Sequence, residues 1–252
     1  MLRTPSLLAR GIEPLVNALW TFFLVWTAIV VGLWLGGETH LPQIANSGLR
    51  SAAIALASAS DPIWLFLASA NLYSLRLERE GLTRTRILAL VIFAVAAMIA
   101  ACSAWTSYPL GTVLYTAHLG RKIGPVPVGW VLLWFVVVVS GRALAGKLLP
   151  RARHETVAVC TGVLALLTDL NLEPIATKVR LYWFCYIAGT HVPSPPLWRN
   201  YLTWVVAATA LSWFAREQKV APATRESWRS ALVIIIFNAV LILAHLREAL
   251  FR

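Results

Sequence analysis

Apolar residues fall along this chain in seven runs, separated by short polar or basic segments. The runs cover about 15–35, 51–75, 87–105, 128–144, 155–175, 201–214 and 230–246. Most approach the roughly twenty residues that, at 1.5 Å rise each, carry an α-helix across a hydrocarbon core. The pattern predicts an all-α, polytopic membrane bundle of about seven transmembrane helices, one domain over residues 1–252, with no internal repeat. The first run is longer than a signal-peptide core and reads as a first transmembrane helix. Asp61-Pro62 interrupts the second run, which a membrane helix tolerates where neighbours satisfy the freed carbonyl. The sixth run is short, so its helix is expected to begin earlier or to lie partly at the interface. Tyr108 to Pro127 carries Pro109, Gly111, Gly120, Gly124, Pro125 and Pro127, and reads as a loop or re-entrant piece.

Composition sharpens the membrane reading. Of 252 residues, 59% are hydrophobic and 13% charged, against about 25% charged in an ordinary soluble domain. The formal charge of +11 would suggest nucleic acid in a soluble chain. Here the arginines are spread over short loops, with no basic, aromatic-interleaved face to follow a phosphate backbone. Topology and contact with anionic headgroups account for them, so the expected partner is the lipid membrane and no nucleic acid. The larger share of the 22 lysines and arginines lies on the side of the N-terminal lead. The positive-inside rule then puts the N-terminus in the cytoplasm of a multi-pass protein of the cell (inner) membrane. Cys102, Cys160 and Cys185 form no CxxC pair and read as small core residues.

The same count of spans brings Tyr108–Pro127, the Asp169/Glu173 end of the fifth run and the loop to Asn200 onto one face. Of eleven carboxylates, Asp61, Asp169 and Glu173 are those within or at the inner edge of apolar runs. An ionisable group there costs roughly 2.5–3.5 kcal/mol to insert, so it usually marks function. The structural alternative is pairing with a nearby cation such as Lys178 or Arg180. Asp169 and Glu173 are spaced i,i+4 and share a helix face if the helix persists to Pro174. Two carboxyls so close in low dielectric resist ionising together, and a buried neutral acid suits protonation of an unactivated double bond. Pro174 works against this by disfavouring the helical region for Glu173.

The other candidates each have a plain alternative. Asp61-Pro62 reads equally well as a helix-break device. His118 and Tyr115 suit proton relay or water binding, and suit an interfacial histidine and tyrosine as well. Tyr182, Trp183, Phe184 and Trp204 offer π-faces to a cation, though aromatics at span ends are commonly interface belts. The candidate set is Asp169, Glu173, Tyr115 and His118 for catalysis, with Asp61, Tyr108, Trp183, Asn200 and Trp204 for substrate binding. HExxH, GxSxG and Walker patterns are absent, the histidines are scattered, and no metal site is expected.

Pro109-Leu110-Gly111, Tyr115-Thr116, Leu119-Gly120, Gly124-Pro125-Val126-Pro127 and Trp134 resemble the central signature of the carotenoid biosynthesis membrane proteins. That family includes bisanhydrobacterioruberin hydratases and carotenoid 1′-hydratases. Asp169, Glu173-Pro174-Ile175-Ala176, Trp183, Pro196-Leu197, Asn200-Tyr201 and Trp204 are similar to its second block. The match runs in order over roughly residues 105–205. The chain departs from the pattern at Ala100-Ala101-Cys102, where members commonly carry a glutamate, and in a longer loop at 189–195. The resemblance implies an enzyme, a hydro-lyase that adds water across the terminal C1′=C2′ double bond of an acyclic carotenoid without a cofactor. Asp169 would donate the proton, Glu173 would adjust its acidity or orient the water, and Tyr115 and His118 would position that water. The implied partners are the acyclic carotenoid within the bilayer and other carotenoid-pathway enzymes. Two other readings compete: a membrane prenyltransferase, for which Asp169-x-x-x-Glu173 supplies half of a paired motif, and a non-enzymatic carotenoid- or lipid-handling carrier or scaffold.

Overall fold

The computed structural model describes residues 7–37, 40–187, 189–190, 192–215 and 226–250. The polar positions Arg3, Glu38 and His191 and most of the loop after the sixth run lie outside the described residues. The helices are α1 (Leu7–Gly32), α2 (Ser47–Glu80), α3 (Leu82–Thr106), α4 (Val128–Leu148), α5 (His154–Pro174), α6 (Trp198–Phe214) and α7 (Glu226–Leu250). Among the described residues, six segments are long and apolar enough to cross a membrane, and α6, with 17 residues, falls short of them. The protein is an all-α, multi-pass membrane bundle.

Asp61-Pro62 does not interrupt the second helix. α2 runs unbroken through both residues, capped by Asn46, whose side chain accepts from the Leu49 N–H at 3.0 Å. It ends at Gly81, whose φ of +79° lets the chain reverse into α3 within a single residue. α4 is the central helix. Over its most apolar 18 residues 72% are buried, against 22% for α1, so α4 packs on protein on most sides while α1 turns most of its surface outward.

α5 and α6 form an antiparallel pair. Asn200 lies beside Asp169 at one end, and Ser212 Oγ donates to Thr161 Oγ1 at 3.0 Å at the other. Arg142 of α4 closes that second end by donating to Ser212 Oγ at 3.2 Å. The short α6 therefore travels along α5, beginning three residues before the apolar run does. α7 is tied to the far side of α5 through Asn238, which accepts from Asn171 at 3.1 Å and donates to Thr168 at 3.0 Å.

The irregular segment from Tyr108 to Pro127 carries strands. β1 (Thr112–Tyr115) pairs antiparallel with β4 (Trp183–Tyr186), matching Val113 to Cys185 and Tyr115 to Trp183. β2 (Lys122–Ile123) and β3 (Val126–Pro127) make a small hairpin that leads into α4. Burial alternates along β1, with Val113 and Tyr115 inward and Leu114 outward, as a half-buried strand requires. The ribbon lies across the end of the bundle where α3 and α5 stop.

Gly162 allows α5 and α6 to approach so closely. A Cβ there would lie 2.7 Å from the Val205 carbonyl oxygen and would also strike Thr209 Oγ1. Gly162→Ala is expected to destabilise the protein by about 1–3 kcal/mol through overpacking. Gly146→Ala, with nothing within 4 Å, is expected to be neutral or slightly stabilising. Thermal denaturation in detergent, followed by circular dichroism, compares the two.

Candidate functional site

α5 keeps its helical course through Pro174 and widens into a π turn over Ile175–Val179. The tendency of Pro174 to turn Glu173 away is overcome. The Glu173 carbonyl accepts from Thr177 Oγ1 at 2.8 Å, a contact that ties the end of the helix to the turn that follows. Asp169 and Glu173 consequently stay on one face, and both are buried, at 0% and 6% exposure.

Each carboxyl has its own partners. Asn200, at the start of α6, donates through Nδ2 to Asp169 Oδ2 at 3.0 Å. Trp183 Nε1 donates to Glu173 Oε1 at 3.1 Å, and the Cys185 thiol points to the same oxygen at 3.8 Å. Trp183 and Cys185 are alternate residues of β4, so the strand presents both to Glu173 while Phe184 points the other way. Among the described residues, Asp169 Oδ1 and the Tyr115 hydroxyl are buried without a hydrogen-bond partner. Buried polar atoms are usually paired, so an orphan such as the Tyr115 hydroxyl marks a place for a polar guest.

A cavity opens beside these groups, lined by Leu110, Val113, Tyr115, Trp130, Glu173, Trp183, Cys185, Asn200 and Trp204. It leaves about 10 Å³ for the centre of a water-sized molecule, room for roughly one water. Glu173 forms part of its wall, whereas Asp169 lies behind, on Asn200.

Half of the remaining wall residues are aromatic. Trp130 sits edge-on to Trp183 at 5.5 Å and to Trp204 at 5.7 Å, and Tyr115 lies 5.3 Å from Trp130. Trp134 stacks on Trp204 at 4.5 Å with 12° between planes. Trp130 is anchored by its Nε1 donating to the Ala96 carbonyl at 3.0 Å. Ala96, Ala100 and Ser103 share one face of α3, and Ser103 Oγ accepts from the Leu110 N–H at 3.1 Å. Of the stretch Ala100-Ala101-Cys102, where the chain departs from the family pattern, Ala100 is fully buried among these contacts.

Burial is the main reason the Tyr115 phenol is pushed well above its usual range, with Cys185, Glu173 and Asp169 adding to the effect. Tyr115 is therefore an O–H donor at any physiological pH. The Cys185 thiol is pushed up to about 12, first by burial and then by Glu173.

The structure gathers Asp169, Glu173, Tyr115, Trp183, Asn200 and Trp204 into this one site. It leaves His118, Tyr108 and Asp61 out of the cavity wall. His118 is exposed on a short 3-10 turn, its N–H held by Thr116 Oγ1 at 3.2 Å. Tyr108 is 61% exposed, with the Arg199 guanidinium 5.6 Å over its ring. Asp61 is paired with Arg180. Trp130 and Cys185 enter unannounced by the sequence reading. Trp130 had a usable signal, its i,i+4 spacing from Trp134 on one helix face. Cys185 had none, because its neighbour Glu173 is set by the fold of β4.

A thiol titrating at about 12 reacts only through a small thiolate fraction. Alkylation of Cys185 in the folded protein should rise nearly tenfold per pH unit from about pH 7 to about pH 10, because each unit multiplies the thiolate tenfold. Peptide mass spectrometry after timed maleimide exposure measures this, and a plateau by pH 9 would contradict it.

No curated protein and no solved structure matches the chain. The carotenoid biosynthesis protein family matches over residues 61–250, a stretch that contains all seven residues of the acid pair and its partners named above: Asp169, Glu173, Tyr115, Asn200, Trp183, Cys185 and Trp130. With that match covering most of its length, the chain belongs to the carotenoid biosynthesis protein family.

Proposed function

We propose that this carotenoid-pathway membrane protein is a hydratase, adding water across the terminal C1′=C2′ double bond of an acyclic carotenoid by acid catalysis. The observation that carries the reading is a buried acid pair opening, through Glu173, onto a cavity walled by Tyr115, Trp130, Trp183 and Trp204. Protonating an isolated double bond needs a neutral acid in a dry site, followed by something to stabilise a carbocation. Two adjacent carboxyls in low dielectric share a proton in preference to ionising together. Aromatic faces stabilise a cation without being basic enough to quench it.

The position of Glu173 on the wall favours it over Asp169 as the group that delivers the proton. Its Oε1 accepts from Trp183 and Cys185, so the acidic hydrogen sits on Oε2. That proton passes to C2′ as the π bond breaks, leaving a tertiary cation at C1′. A water oxygen then bonds to C1′ and returns its proton to the carboxyl pair, so the net change is the addition of one water. Tyr115 O–H, on the cavity wall and without another partner, is suited to hold that water. Because the cavity is water-sized, admitting the substrate end group requires its wall to open, a gating step of the usual kind. The bilayer supplies the polyene, and the cell membrane with a cytoplasmic N-terminus is the proposed setting.

The test is expression in a host that makes lycopene-type carotenoids, with pigments analysed by mass. Gain of one water supports hydration. No new pigment across several acyclic substrates sinks it, and magnesium-dependent consumption of a prenyl diphosphate would favour prenyl transfer. Glu173→Gln and Asp169→Asn are each expected to lower the rate at least about 100-fold, the usual worth of a positioned acid. Trp130→Leu is expected to lower kcat about 2- to 30-fold, matching a cation–π contribution of roughly 0.5–2 kcal/mol.

A further inference from the structure

The turn that carries the chain from α5 to β4 is held from outside the cavity. Arg180 follows the π turn and reaches back to α2, where its Nε donates to Asp61 Oδ2 at 2.8 Å. The other carboxylate oxygen of Asp61 accepts from Trp34 Nε1 at 3.0 Å and from Ser60 Oγ at 3.2 Å. The guanidinium lies 5.3 Å over the Trp34 ring, and the side chains of Arg180 and Asp61 are 11% and 3% exposed. Tyr182 is buried beside both members of the pair.

Between Arg180 and Tyr182 stands Leu181, a non-glycine residue at φ +52°. Such a conformation persists only where the surroundings over-determine it. Here the Tyr182 N–H donates to the Ala176 carbonyl at 2.7 Å, and the Thr116 N–H donates to the Tyr182 carbonyl at 2.9 Å. The next residue is Trp183, whose indole holds Glu173. A continuous set of contacts therefore leads from Asp61, through Arg180 and the turn, to the carboxyl on the cavity wall.

We propose that Asp61 and Arg180 are a positioning pair, setting the turn that delivers Trp183 and Cys185 to Glu173 and so the direction in which its carboxyl faces. The pair touches neither the cavity nor the reacting atoms. A buried ion pair adds little net stability once desolvation is counted, so its consequence is geometric. The kinetic arm below rests on the hydration reading, and the labelling arm does not.

The experiment uses the full chain in nanodiscs, with Cys102→Ala and Cys160→Ala leaving Cys185 as the single thiol. Arg180→Gln, Arg180→Lys and Asp61→Asn are compared for maleimide labelling of Cys185, thermal midpoint, kcat and KM. Arg180→Gln and Asp61→Asn are expected to speed labelling at least about tenfold well below the midpoint, because β4 opens locally from Glu173. Arg180→Lys keeps the charge and loses the planar fork and the stacking on Trp34. It is expected to restore the thermal midpoint while kcat stays low and KM changes little. Labelling at the parental rate in Arg180→Gln, or full recovery of kcat in Arg180→Lys, would overturn the proposal. If Arg180→Gln fails to fold, Arg180→Lys and Asp61→Glu carry the same comparison. A parent protein that hydrates no carotenoid refutes the hydration reading, while labelling still decides the pair.

Discussion

Taking two carboxyl groups into a membrane-crossing helix removes them from water and obliges the fold to supply their solvation. Asp169 and Glu173 stand one helical turn apart, each buried, and much of the surrounding structure is explained by what they need. Asn200 at the start of α6 answers Asp169, and the Trp183 indole on β4 answers Glu173. Neither donor comes from α5 itself. The α5–α6 pairing and the β1–β4 ribbon must both form before the acids are accommodated.

That dependence links packing to chemistry. Gly162 brings α6 close enough to α5 for Asn200 to reach Asp169, while Pro174 and the π turn steer the chain away from the helix axis toward β4. The ribbon then places alternate residues, Val113 and Tyr115 from one strand and Trp183 and Cys185 from the other, over the end of the bundle. α4 contributes Trp130 and Trp134 from the buried centre. The unpartnered Tyr115 hydroxyl lies among these aromatic rings, where an added dipole or charge interacts strongly because the dielectric is low. Low dielectric, paired acids and aromatic faces in one place are what the proposed hydration calls for.

Asp61 shows how the same physics has two outcomes. It too is a carboxylate within a span, and sequence alone leaves substrate contact, helix breaking and ion pairing as options. The fold gives it a guanidinium from 119 residues further on, together with Trp34 and Ser60, and it remains a fully engaged charge. Glu173 receives a tryptophan, a thiol and a cavity. The difference lies in the partner each acquires.

Local properties were legible from the residues: the long apolar runs, their approximate ends, the membrane setting and the i,i+4 register of Asp169 and Glu173. Hydropathy and helical periodicity depend on neighbours within a few turns, so they can be read in one dimension. Family membership was legible for the same reason, since its signature lies in short segments kept in order. The uninterrupted course of α2 through Pro62, the strand pairing of Val113 with Cys185, the exclusion of His118 and Tyr108 and the arrival of Arg180 at Asp61 were decided by tertiary structure. Each depends on contacts between residues far apart in sequence, where the gain in burial and hydrogen bonding overrides the local preference of proline, glycine or a lone charge.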